Sequence, residues 1–104
     1  MIIVAGHLRT AAADRDRFLA LSCDAIQLAR TTPGCHDFVA AADPIDPERI
    51  NIYERWTDHV TLHAFRGDGP YDELNTLILS ADIDEFEVLS APPHVTRSAS
   101  HTRP

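Results

Sequence analysis

The sequence contains no lysine: all nine of its cations are arginine, set against 16 aspartates and glutamates, for a formal net charge of −7. A chain of that sign offers no basic stripe to a phosphate backbone, so nucleic acid and anionic membranes are set aside as partners. Cysteine is nearly as scarce. Cys23 and Cys35 show neither a CxxC nor a His/Cys metal spacing, and read as reduced thiols of a cytoplasmic protein rather than as a disulfide framework. No apolar run reaches the length of a bilayer span, and MIIVAGHLRT carries no cationic segment ahead of its short apolar stretch. Also missing are G-x-G-x-x-G, a Walker loop, H-E-x-x-H and G-x-S-x-G. The usual means of holding a nucleotide, a catalytic zinc or an acyl nucleophile are therefore absent.

What is present is an ordinary globular composition, 44% hydrophobic and 24% charged over 104 residues. That length makes one domain with a real core and much remaining surface, some of which an oligomer would cover. Residues 2–9 (IIVAGHLR) are β-branched and apolar, a strand pattern in which Gly6 marks a close approach by another group. From Asp14 to about Thr31, Phe18, Leu21, Ala25, Leu28 and Ala29 recur at helical spacing, with Leu19 and Ile26 widening the stripe. Asp14 can cap that helix, Arg30 suits its negative end, and Pro33-Gly34 stops it.

Residues 35–42 read as a second strand and 50–56 (INIYERW) as a third, joined by a turn at DPIDPER. On the third strand Ile50, Ile52, Glu54 and Trp56 share one face, and Asn51, Tyr53 and Arg55 the other. Thr57 or Asp58 can cap a helix running to about Arg66, Pro70 opens another containing Tyr71, Leu74, Leu77 and Ile78, and residues 83–89 alternate as a last strand. The order β-α-β-β-α-α-β is an α+β, ferredoxin-like arrangement with a four-stranded antiparallel sheet, the first and third strands at its centre and helices on one face. Residues 1–90 form the domain and 91–104 a polar tail. Because the face away from the helices keeps apolar side chains, the expected cover is a second copy, in a homodimer packed sheet on sheet.

Several stretches in this order resemble the antibiotic biosynthesis monooxygenase (ABM) family of dimeric α+β barrel proteins: VAGHLR, ARTTPGCHDF, DPIDPERINIYERW and the helix after Trp56, with Glu54-x-Trp56 the most recognisable piece. The resemblance covers residues 1 to about 90. It implies a pocket between sheet and helices and, as in characterised members, oxidation of an aromatic or quinol-like substrate by O2 with no metal or flavin. A branch of the same superfamily degrades haem with an Asn on the first strand, a Trp in the helix after the hairpin and an axial His one helix later. The places here hold His7, Phe65 and Asn75, so all three depart from it. Many ordinary members also carry a His where this chain has Phe65.

Chemistry without a cofactor needs a base near working pH, donors for a developing oxyanion and a dry aromatic-lined pocket. His7 is the base expected from the sequence, since it stands on a presumed central strand, although a core histidine satisfied by hydrogen bonds fits equally. Trp56 is either a pocket wall for a planar substrate or a large core residue with its N–H satisfied. Leu62, Phe65 and Tyr71 could share its wall, and Asn51 could donate to an oxyanion, though strand parity puts it on the face opposite Trp56. Glu54, on the face of Trp56, is expected to pair with an arginine or cap a helix. His59 and His63 are spaced as metal ligands on a helix would be. The wheel places Val60, Leu62, Ala64 and Phe65 together and both histidines on the opposite, solvent side. No third ligand is evident, so no metal and no cofactor is expected. Two readings stay open: a cofactor-independent monooxygenase acting on a small aromatic, polyphenol or quinol, and a non-catalytic dimer that binds a small ligand, or an isomerase sharing the fold.

Overall fold

A computed structural model describes residues 1–67 and 72–89. Its elements are β1 (Ile2–Arg9), a 3-10 turn at Ala12–Asp14, α1 (Arg15–Arg30), β2 (Cys35–Ala42), β3 (Arg49–Trp56), α2 (His59–Gly67), α3 (Asp72–Leu77) and β4 (Ser80–Glu87). The strands form one antiparallel sheet in the order β2-β3-β1-β4, with the first and third strands central, as the ferredoxin-like reading requires. β1 pairs along its whole length with both neighbours, Ile2 opposite Trp56 and Glu87, and Arg9 opposite Arg49 and Ser80. No helix among the described residues is long and apolar enough to cross a membrane. Tyr71 and the tail from Ser90 lie outside the described residues.

One face of the sheet is covered by helices and carries the core. Ile2, Val4, Trp56 and Leu62 form one buried cluster, with Phe38, Phe65 and Cys35 against it. Leu8, Phe18 and Ile50 form a second, with Leu74, Leu77 and Ile78 against it. Along β1 the two clusters are separated by Gly6, which has φ +150° and lies so close to β4 that a Cβ there would run into the Asp82 carbonyl. The sequence reason for that glycine is thus strand contact rather than a turn. A bulge between Cys35 and Asp37 lets Cys35 and Phe38 both face the core across an odd interval, which simple alternation would forbid.

Several local details differ from the sequence reading. Asp14 makes no capping bond from its side chain; the chain enters α1 through the 3-10 turn instead. The buried stripe of α1 is Phe18, Ser22 and Ala29, while Leu21 and Leu28 are exposed. Ser22 tolerates burial because its hydroxyl donates to the Phe18 carbonyl at 2.7 Å, one turn back. On α2, Val60 and Ala64 also face outward, so the inner side is narrower than the wheel implies. β4 begins at Ser80, earlier than alternation indicates, because its register follows β1 and its own sequence offers little apolar periodicity. Asp58 does cap α2: its Oδ1 accepts from the Thr61 N–H at 2.9 Å.

The β2-β3 turn is held by polar groups. Asp43 Oδ2 accepts the N–H groups of Ile45 and Asp46, at 3.0 and 2.8 Å. Asp43 Oδ1 accepts from Asn51 Nδ2 at 2.9 Å, and Arg15 Nη1 faces the carbonyls of Asp43, Asp46 and Arg49 within 2.8–3.3 Å. Asx turns of this kind explain why two Asp-Pro pairs stand in one short loop.

Candidate functional site

Between the two core clusters, under the helices, lies a cavity of about 280 Å³. Its walls are mainly apolar: Leu8 and Ile52 from the central strands, Phe18, Ala25 and Ile26 from α1, Phe38 from β2, Phe65 from α2, and Leu74 and Ile78 around α3. Four polar side chains also reach the lining, Ser22, Glu54, Arg66 and Asn75. An apolar pocket with a few convergent polar groups is the form a small-molecule site takes.

Glu54 is its chemical centre. Strand parity turns it inward with Ile50, Ile52 and Trp56, and only 8% of its surface remains exposed. Its Oε1 accepts the indole N–H of Trp56, two residues on, at 3.0 Å. Burial pushes the Glu54 carboxyl above the ordinary glutamate range; the Trp56 hydrogen bond and the Arg66 cation pull the other way without cancelling it, and the nearby Glu85 charge adds to the rise. A carboxyl raised by desolvation inside a cleft is a candidate for proton transfer.

Trp56 is wholly buried and stands behind the cavity wall rather than in it. Its ring lies 5.4 Å from Phe65 and 6.5 Å from Phe38, centroid to centroid, and those two phenyl rings, 5.9 Å apart, share the aromatic lining with Phe18. Indole therefore fixes the carboxylate and backs the wall at once. Phe65, of the residues picked from the sequence, does line the cavity, whereas Leu62 is fully buried in the core beside Trp56.

His7 and Asn51 are neighbours across β1 and β3 and sit on the open face of the sheet, away from the cavity. Both ends of the Asn51 amide are engaged: Oδ1 accepts from Arg49 Nε at 2.7 Å and Nδ2 donates to Asp43. His59 and His63 are exposed on α2, their rings 5.8 Å apart. Sequence reasoning passed over Glu54 as a base and did not single out Phe38, Arg66 or Asn75 for the pocket. For Glu54 the signal was available, since a carboxylate alternating with Ile52 and Trp56 on one strand face must go into the core. Phe38 was hidden by the bulge, and Arg66 and Asn75 by the uncertain rotation of short helices.

The family model described as Antibiotic biosynthesis monooxygenase matches residues 1–75. Among solved structures, a candidate antibiotic biosynthesis monooxygenase from Nitrosomonas europaea superposes with a TM-score of 0.77 at 15% identity, covering 86% of this chain and 100% of that one. One from Deinococcus radiodurans gives 0.76 at 22% identity, over 92% and 100%. A third, from Chloroflexus aurantiacus J-10-fl, gives 0.71 at 24% identity, over 88% and 96%. At these identities the likeness is one of fold. No curated protein matches the sequence.

Proposed function

The chain belongs to the antibiotic biosynthesis monooxygenase family, and from that premise we propose that it oxidises a small aromatic, polyphenol or quinol substrate with O2, without a bound cofactor, in the cavity between sheet and helices. The observation that carries the reading is Glu54, a buried carboxyl raised by desolvation, hydrogen-bonded to Trp56 and lining a pocket faced with phenyl rings. A phenol stacked against Phe38 and Phe65 gives its proton to Glu54. Arg66 and Asn75, the N–H donors at the cavity, stabilise the oxyanion that forms. The electron-rich ring then reduces O2: one oxygen atom enters as a new ring carbonyl, and the other leaves as water with the two hydrogens lost. Substrate supplies all four electrons, so no external reductant is needed. Glu54 takes the part expected of His7, which stands on the other side of the sheet.

Oxygen uptake with a panel of hydroquinones tests this. Glu54→Gln should lower the rate by about 10²–10⁴, the usual contribution of a general base, while His7→Ala leaves it near that of the wild type. No uptake above the autoxidation blank across the panel overturns the monooxygenase reading. If the same compounds still bind, the protein is a small-ligand binder or an isomerase.

The homodimer belongs to the same proposal. Its support is on the open sheet face, where Ile3, Tyr53 and Arg55 line a second hollow, Phe86 is half exposed, and Arg55 Nε is buried with no hydrogen-bond partner among the described residues. A second copy would cover the apolar groups and give that N–H an acceptor. Sedimentation showing a monomer at micromolar concentration overturns it. Cys23 and Cys35, both free thiols, fit the cytoplasm as the compartment.

A further inference from the structure

The histidines of HVTLH gain from the tertiary structure a neighbour that the sequence does not show. His59 and His63 stand one turn apart on α2, and β4 brings Glu85 beside them: the ligand atoms of the three side chains all lie within 4.8 Å of one another. His59 Nδ1 is 3.6 Å from Glu85 Oε1. In a tetrahedral site with bonds of 2.0–2.1 Å, neighbouring ligand atoms are about 3.3 Å apart. Exposed side chains close that difference by small rotations.

We infer that His59, His63 and Glu85 form a surface site for a divalent cation of the zinc, nickel and copper class. Two imidazoles and a carboxylate suit these ions, whereas magnesium and calcium prefer all-oxygen shells. Exposure of all three groups leaves the remaining coordination position to water. The carboxylate is already arranged for the task. Its Oε2 accepts from Arg66 Nη1 at 2.6 Å, leaving Oε1 turned to His59. Arg66 thus becomes the outer partner that orients a ligating carboxylate.

The site joins α2 to an edge strand, and α2 also carries Phe65 and Arg66 in the cavity wall. A bound ion would therefore clasp a helix that contributes to the pocket wall. This inference does not depend on the chemistry proposed for Glu54.

Titration calorimetry of the tag-free full chain with ZnCl2 and NiCl2 at neutral pH tests it. One ion per chain should bind, and His59→Ala and His63→Ala should each weaken binding at least as much as the roughly 10–100-fold that loss of an outer partner costs. Both variants should keep the wild-type circular dichroism spectrum, since the side chains are exposed. Zn²⁺ should raise the melting temperature of the wild type and not that of His63→Ala. Absence of binding up to millimolar ion overturns the site. So does binding that survives His63→Ala unchanged, or that disappears on Cys23→Ser or His7→Ala instead.

Discussion

Asp43 stands in the turn that leads into β3 and Glu54 near the far end of that strand, and their surroundings move them in opposite directions. Asp43 collects the Asn51 amide and two backbone N–H groups in a turn open to solvent, and its carboxyl is pulled from 3.8 down to about 2. Glu54 collects one indole N–H at the wall of a mainly apolar cavity, and burial drives its carboxyl upward. The same functional group serves as a structural acceptor in one place and as a candidate base in the other. What separates them is the number of donors set against the water removed.

Three changes would break or sharpen that contrast. The largest effect is expected from Trp56→Phe, which takes the indole donor from Glu54 and leaves a gap in a fully buried site. It should destabilise the fold by about 2–4 kcal/mol in denaturant titrations and push the Glu54 carboxyl further upward. Next comes Glu54→Gln. With a folded pKa above the unfolded one, Glu54 binds its proton more tightly in the native state, so its contribution falls as pH rises above the ordinary 4.5. The variant, which keeps an acceptor for Trp56, should melt higher than the wild type at mildly alkaline pH and lose this advantage at pH below that value. A variant that melts lower at every pH would mean that the carboxylate is structural.

The smallest effect belongs to Asp43→Asn. Here the folded pKa is depressed, so the contribution is complete above 3.8 and is lost as pH falls toward about 2. Melting curves of the wild type should decline through that window, and those of the variant should decline less. An unchanged acid limb would show that the turn is held by Arg15 and the backbone alone.

Much of the architecture was legible. The strand and helix order, the central position of the first and third strands, the close approach at Gly6 and the inward face of Glu54 and Trp56 follow from period and parity. Less legible were the rotation of α1, where a serine replaces leucine on the buried side, and the start of β4, which pairs by register with β1. For β4 the backbone ladder with β1 decided against side-chain hydropathy. A bulge of one residue was enough to hide Phe38.

Taken alone, the sequence determined the family, the layer order and which side chains of each strand share a face, because alternation and helical spacing are local properties. It also set the formal net charge of −7. Only the tertiary structure decided that Glu54 lines a cavity while Trp56 backs it, that His7 stands across the sheet from both, and that Glu85 arrives beside His59 and His63. Those are meetings between residues far apart in the chain, and their distances depend on register, bulges and helix rotation, which no local periodicity encodes.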